Sequence, residues 1–281
     1  MKSKLKKIAL SILPKCSIFD SLYNYLYFVY CHRRIPRPRN KTFLDQIFRI
    51  KTTKEALNPL RVLTSDKELV KHYVSHMVGD RFNIPTYKVL LSPSDVDNYN
   101  FPKRCVIKPT HASGEIILRE SGEWIDKDII KSWFELDYYA ISREVNYKYL
   151  IKKVIVEPFV YDKIDVEDIK FFVYCGVVKL IQVDFDRRKF HTRRLYDRNW
   201  NDLNTSIGFP LSSRSFDKPT NLKEMISSVE SLSVPFDLVR VDLYTDGKSF
   251  FIGEITHVHG SGGERFYPAD NEDLINKIIF E

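Results

Sequence analysis

Between Val239 and Gly263 the chain reads VRVDLYTDGKSFFIGEITHVHGSGG, a stretch whose polar residues are spaced as a site and whose apolar residues are spaced as a core. Side chains alternate between the two faces of a strand. In a hairpin with an odd-numbered loop, Arg240, Asp242, Glu254 and Thr256 therefore share one face, while Val241, Leu243, Phe251 and Ile255 share the other. A two-residue Asp246-Gly247 turn would put the two carboxylates on opposite faces, so a longer loop is expected, with Gly247 at positive φ. Converging carboxylates repel unless a cation lies between them. Oxygen-only ligands suit Mg²⁺, which takes one or two protein carboxylates and completes its shell from water and phosphate. Asp242 and Glu254 are accordingly the candidate metal ligands, and the Gly-Ser-Gly-Gly run beyond them is a backbone that can approach a ligand closely. The plainer reading of the same stretch is an edge hairpin with a solvated Asp and Glu.

VIKPTHASGEIIL is the second chemical stretch. A lysine at the end of an apolar strand, followed by a small polar loop, can lay an ammonium and several N–H groups over phosphates. The candidates are Lys108, His111, Ser113 and Gly114. Taken alone, Lys108 is more often a surface lysine than a ligand, and His111 either touches phosphate or caps the turn. In KKVIVEPFV an acidic residue and a proline interrupt a buried strand, making Glu157, Pro158, Phe159 and Val160 a hinge whose backbone could meet an adenine edge. In DIKFFVYCG, Asp168, Lys170 and Phe172 alternate against Ile169, Phe171 and Val173, with Gly176 turning the chain into an antiparallel return strand. Lys170 then faces the site; the alternative is a solvent-facing Asp/Lys pair of small energetic value. Arg187 and Arg188 close the return strand within reach of an anionic substrate.

Other elements must position these groups. Ser65 and Glu68 predict a capping box before a helix with an apolar face (Leu69, Val70, Tyr73, Val74, Met77, Val78) that Gly79 ends. Strands are expected at YKVLL, RCVIKP and EIILRE, and helices at about Asp126 to Tyr139 and Leu222 to Leu232. HTRRLYDRNWNDLNTSIGFPLSSRS reads as a long loop over the cleft. With 281 residues, 43% of them hydrophobic, the chain can bury a full core. Its four cysteines show no CxxC pairing, so neither a zinc site nor a disulfide framework is indicated.

Charge is unevenly placed. Residues 1–61 hold 14 Lys/Arg against 3 Asp/Glu, a net +11, and the other residues hold 30 against 34, a net −4. The start, MKSKLKKIALSIL, resembles the charged beginning of a signal peptide, but Pro14 and Lys15 cut the apolar run and secretion by this route is not expected. No stretch approaches the roughly 20 apolar residues that span a bilayer. FDSLYNYLYFVYC, flanked by Lys7, Lys15, Arg33, Arg34, Arg37 and Arg39, fits a helix lying on an anionic membrane; it fits equally a helix packed on the body with a solvated basic flank. The basic residues carry no nucleic-acid-binding motif, and no nucleic acid partner is expected.

Taken in order, Lys108 with THASG, Glu157-Pro158, Asp168-Ile169-Lys170, Arg240-Val241-Asp242 and Gly253-Glu254-Ile255-Thr256 resemble an ATP-grasp enzyme. RPRNKTFLDQI, TSDKELVKHYV, SREVNYKYLIKKVIVEPFV, DIKFFVYCG and GEITHVHGSGG are similar to the TupA-like branch, named for teichuronopeptide biosynthesis, over roughly residues 40–270. The resemblance implies an α+β ATP-grasp fold: a basic, largely helical N-terminal arm (1–60), an N-terminal lobe (61–156) and a C-terminal lobe with the metal site (157–281). It implies Lys108 and Lys170 on the phosphates of ATP, the Glu157–Val160 hinge on adenine, Asp242 and Glu254 on Mg²⁺, and Arg240 on the transferred phosphoryl group. The chain departs from many ATP-grasp ligases at Thr256, where they carry Asn, and at Ile169, where an aromatic is usual. The implied activity is a cytoplasmic ATP-dependent ligase joining an amine to a carboxylate through an acyl-phosphate, with glycan-linked substrates at the inner membrane face. A phosphotransferase on the same scaffold, or a nucleotide-binding accessory protein of glycan assembly, are the rival readings.

Overall fold

The computed structural model describes residue 10 and residues 13–163, 166–187 and 189–281. Lys2, Lys4, Lys6 and Lys7 of the basic start, and Arg188, lie outside the described residues. Two helices, α1 (Ser17–His32) and α2 (Phe43–Thr52), precede a helical pair, α3 (Pro59–Ser65) and α4 (Leu69–Met77). Then come β1 (Lys88–Leu90), α5 (Pro93–Asn98), β2 (Cys105–Pro109), β3 (Ile117–Arg119), α6 (Lys127–Ser132), α7 (Tyr138–Ser142) and β4 (Val154–Glu157). The second half holds β5 (Glu167–Tyr174), β6 (Val177–Phe185), β7 (Thr192–Asp197), β8 (Ser206–Ile207), α8 (Leu222–Ser233), β9 (Leu238–Thr245), β10 (Phe250–Thr256), β11 (Phe266–Tyr267) and α9 (Glu272–Phe280).

Two antiparallel sheets carry the architecture, in the orders β1-β4-β2-β3 and β10-β9-β5-β6-β7. In the larger sheet the odd-numbered residues of β5 and β9 (Ile169, Phe171, Val173, Val239, Val241, Leu243) are buried against α4 and α8 through Val70, Val74, Met225, Val229 and Leu232. This face is the main core. The even-numbered face is divided. At one end Phe172, Leu180, Leu195 and Leu238 pack against Phe28 of α1, Phe43, Ile47 and Ile50 of α2, and Ile275 and Ile279 of α9. At the other end it carries Asp168, Lys170, Asp184 and Asp242. The smaller sheet buries Leu90, Cys105, Ile107, Val154 and Val156 under Ile130, Trp133 and Phe134.

Two local expectations change. α4 is not capped by Ser65, whose hydroxyl donates back to the Arg61 carbonyl inside α3 (2.7 Å). Asp66 caps instead: its Oδ1 accepts from the N–H groups of Glu68 (2.8 Å) and Leu69 (3.0 Å), because α3 runs one residue too far for Ser65 to be free. Gly79, at φ +106, does end the turn after α4. The long polar loop after His191 contains β7, the edge strand of the larger sheet. Consecutive arginines hid its alternation: Arg193 points inward to Asp184 (2.8 Å) and Glu264 (2.9 Å), so a charged residue occupies a buried position.

The described part of residues 1–60 is built into the body. Phe28, Phe43, Leu44, Ile47, Phe48 and Ile50 share one cluster with the strands of the 157–281 segment. α1 is further fixed by Asp20, 5% exposed, which accepts from the fully buried Arg143 (2.8 Å) and from the Tyr139 hydroxyl. Arg143 also donates to the carbonyls of Leu10 (2.8 Å), Leu13 (2.7 Å) and Pro14 (2.9 Å). Removing one member of a buried pair leaves the other charge uncompensated. Asp20→Ala should therefore destabilise the protein by about 3 kcal/mol, read as a lower urea midpoint; an unchanged midpoint would show that the Asp20–Arg143 pair contributes nothing to holding α1.

Candidate functional site

The two sheets enclose a cavity of about 820 Å³. The smaller sheet and its loops contribute Lys108, Ser113, Gly114 and the Glu157, Pro158, Phe159 and Val160 segment; the larger sheet contributes Asp168, Lys170, Asp184, Arg240, Asp242, Tyr244 and Glu254.

The β9–β10 hairpin shows how the carboxylates meet. Its loop, Asp246 to Ser249, has four residues, not an odd number, with Gly247 at φ +86. Phe251 accordingly lies opposite Tyr244 on the site face, 5.4 Å from the Tyr161 ring, and Phe250 and Ile252 take the core positions instead. A β-bulge at Gly253 then restores the parity, so that Glu254 lies directly opposite Asp242 and Thr256 opposite Arg240. The bulge needs glycine: a Cβ at 253 would stand 2.7 Å from the Tyr244 ring.

Arg240 binds Asp242 with two hydrogen bonds, Nε to Oδ1 (2.6 Å) and Nη2 to Oδ2 (2.7 Å). The same Nη2 donates to Thr256 Oγ1 (3.1 Å) and approaches Glu254 Oε1 (3.4 Å). Burial pushes the Asp242 carboxyl up, but Arg240 and Lys170 override it and hold it at about 2. Lys170 sits among three carboxylates, contacting Asp168, Asp242 (3.2 Å) and Asp184 (3.7 Å). Burial works against its charge, yet those carboxylates raise its pKa. Arg187, half exposed at the cavity mouth, pairs with Asp168.

On the opposite wall Lys108 pairs with Glu157 Oε2 (2.7 Å), whose other oxygen pairs with Lys71. The Glu157 carboxylate is thus engaged by two lysines. Ser113 and Gly114, at φ +93, lie on an exposed loop. His111 is not brought to the cavity lining. It is buried, accepting at Nδ1 from the Lys153 N–H (3.4 Å) and reaching the Trp133 carbonyl with Nε2 (3.1 Å), and burial lowers its pKa.

Several residues here escape a reading of the sequence. Lys67 lines the cavity with its ammonium on the Ala112 carbonyl; burial lowers its pKa, and Glu254 opposes that shift. Its only signal is a lysine beside a helix start. Beyond Arg240, His259 Nδ1 contacts the guanidinium and Nε2 contacts Glu264, which also pairs with Arg193 (2.9 Å). Arg240 can only donate, so His259 Nδ1 accepts from it and Nε2 is the nitrogen turned to Glu264; burial lowers the His259 pKa.

Asp242 and Glu254 are oxygen donors only, adjacent across a hairpin, and the Glu254 side chain is 38% exposed. This donor set suits a hard divalent cation sharing its shell with phosphate and water. Lysines from α4's approach, from β2 and from β5 line the same cavity, so the fold and site define an α+β protein with a lysine-lined cleft between two sheets.

The chain belongs to the TupA-like ATP-grasp family: the family described as TupA-like ATPgrasp matches residues 47–279. No curated protein matches the sequence. Solved structures similar to it include D-alanine–D-alanine ligase from Bacillus anthracis complexed with ATP (16% identity, TM-score 0.40, covering 70% of this chain and 55% of that one). The D-alanine–D-alanine ligase from Helicobacter pylori is 17% identical, with TM-score 0.43 and coverage of 78% and 58%. The L-amino acid ligase from Bacillus licheniformis is 16% identical, with TM-score 0.44 and coverage of 77% and 49%. This chain thus spans about half the length of those ligases.

The Glu264 network makes a pH prediction. Burial pushes its carboxyl up from 4.5, but His259 and Arg193 outweigh burial and hold it at about 2. A lowered folded-state pKa contributes stability above the unfolded value and loses it as pH falls through the folded one. Wild-type stability should therefore fall between about pH 4.5 and 2. Glu264→Gln should be less stable at pH 7 with a flatter profile in that window, measured by urea unfolding across pH; parallel profiles would contradict the assignment.

Proposed function

We propose that this protein is an ATP- and Mg²⁺-dependent ligase that joins a carboxylate to an amine, releasing ADP and phosphate. The observation that carries this reading is the convergence on one cavity of an adjacent carboxylate pair, Asp242 and Glu254, with lysines from separate segments, Lys67, Lys108 and Lys170. Family membership supports nucleotide binding in that cavity. Asp242 and Glu254 would hold Mg²⁺, which when bound neutralises phosphate oxygens. Lys67 and Lys108 would bind phosphate oxygens, and Lys170 would do so by exchanging one of its carboxylate partners. Ser113 and Gly114 would cover the phosphates with backbone N–H groups. The Glu157 to Val160 backbone would meet the adenine edge. Arg240 would orient the transferred phosphoryl group, supplying fixed positive charge where negative charge develops, and Arg187 would attract the anionic acceptor at the mouth.

The TupA-like branch supports an acceptor carboxylate such as a uronic acid on a cell-surface glycan, with an amino acid or another amine as attacking group. The test is full-length protein with ATP, Mg²⁺ and panels of uronic acids, amino acids and amines, following ADP, phosphate and amide product. Asp242→Asn and Glu254→Gln should each lower turnover by at least about 100-fold, and Lys67→Met and Lys108→Met should weaken ATP binding about tenfold. Release of AMP would overturn the acyl-phosphate route, and a phosphorylated acceptor accumulating as product would make the protein a phosphotransferase.

The outward side of α1 supports peripheral contact with an anionic membrane. Ile18, Leu22, Tyr25, Leu26 and Tyr30 are exposed along it, beside Arg33, Arg37 and Arg39. No described helix is long and apolar enough to cross a membrane. Each basic residue near such a surface contributes about 1 kcal/mol, screened by salt. The protein should co-sediment with phosphatidylserine-containing vesicles at low salt and be released at high salt, and Leu22→Glu with Leu26→Glu should abolish binding. Failure of the wild type to sediment at low salt would remove the membrane reading.

A further inference from the structure

The loop that follows β10 holds a non-glycine residue, Ser261, in the left-handed region. Gly260, Ser261 and Gly262 take three consecutive positive φ values, 51°, 55° and 73°, and one of the three is not glycine. A left-handed run of this kind costs free energy and needs support from its surroundings. That support comes from the N-terminal helices. His32 Nε2 meets the Gly262 carbonyl at 2.8 Å, and Lys51 Nζ donates to the Ser261 carbonyl at 3.0 Å. α1 lies tightly against one of the loop's glycines: a Cβ at Gly263 would collide with the Tyr27 hydroxyl and ring, whereas at Gly262 a Cβ would meet Ile47 of α2 at an ordinary 3.4 Å and it is the φ of +73° that favours glycine. A fourth tie comes from the Ser261 hydroxyl, which donates to Glu144.

The loop's first residue leads into the cleft. His259, 4% exposed, stands between Arg240 and Glu264, and Arg240 is the residue that holds Asp242 and Thr256. The chain of contacts runs from α1 to the loop, from the loop through His259 to Arg240, and from Arg240 to the carboxylate pair.

We propose that the inner side of α1 is a positioning element of this site: Tyr27 and His32, with Lys51 of α2, hold the Gly260–Gly263 loop in the conformation that fixes His259 and Arg240 at the acceptor end of the cleft. These three residues touch no reacting group; they act through the loop. The N-terminal helices then do two jobs with two faces, the inner one serving the site and the outer one left to face outward. The proposal rests on the ligase reading only where turnover is measured.

The experiment uses the full chain with His32→Ala, Lys51→Met and the two combined. Hydrogen exchange of residues 257–264 should accelerate about tenfold or more in the combined variant, while titration with ATP and Mg²⁺ gives an unchanged Kd. At saturating ATP, turnover with whichever carboxylate and amine support it should fall with KM for ATP unaltered. His32→Gln, which keeps a donor for the Gly262 carbonyl, should restore much of the loss, a rescue that a purely stabilising helix would not show. Unchanged loop exchange in the combined variant would overturn the proposal. Should that variant fail to fold, a cycle decides instead: Gly263→Ala should loosen the loop in the wild-type background and be nearly neutral beside Tyr27→Ala, whereas additive effects would show that helix and loop are uncoupled. If the wild type turns over no substrate pair, the ligase reading fails and the exchange measurements still decide the clamp.

Discussion

The guanidinium of Arg240 is the group on which the cleft depends. Asp242 and the partly exposed Glu254 face each other across β9 and β10, with Asp168 and Asp184 further along the same surface, and such a concentration of negative charge, three of the four carboxylates buried, is unfavourable unless compensated. Arg240 answers it with a planar fork: two bonds to Asp242, a third to Thr256 and a close approach to Glu254. A lysine in its place would give a point charge without that geometry. Its remaining nitrogen reaches His259, which ties the carboxylate pair to the loop beyond β10.

The same principle governs the rest of the cavity wall. Lys170 is surrounded by three carboxylates, and Glu157 lies between Lys108 and Lys71. Each charge is held by an opposite one, and on the proposed reading a ligand of matching charge would exchange for it. A polyphosphate entering between the sheets would take lysines from carboxylates, and a divalent cation would take carboxylates from arginine. The apolar side of the larger sheet makes this possible. With Ile169, Phe171, Val241 and Leu243 fully buried under α4 and α8, the strands keep their spacing while their other face carries charge.

The N-terminal segment is divided in a similar way. Its charge count set it apart from the remainder, yet Phe28, Phe43 and Ile50 are core residues and Asp20 is locked to Arg143. Net charge describes a surface and says nothing about which few residues of a helix point inward. The apolar residues of α1 fall on both sides: Phe28 is buried, and Ile18, Leu22 and Leu26 are exposed.

What was legible in the sequence is what depends on local period and residue type. Alternation in DIKFFVY and VRVDLY identified the strands and put Lys170, Arg240 and Asp242 on a polar face, and the position of Gly247 in its turn followed from backbone sterics. The order of the motifs identified the family. Tertiary structure alone decided the rest. The bulge at Gly253 was not readable, because an insertion of one residue into a ladder depends on the partner strand and on where the Tyr244 ring lies. Lys67 became part of the cavity wall, Glu264 came to lie against His259 behind Arg240, and His111 was left behind the wall, because segments far apart in the chain pack together; β7 was hidden for the same reason, since its buried arginine looks polar until Asp184 and Glu264 are beside it. Period tells which way a side chain points from its own backbone; what it then meets is set by the packing of elements that the local sequence does not contain.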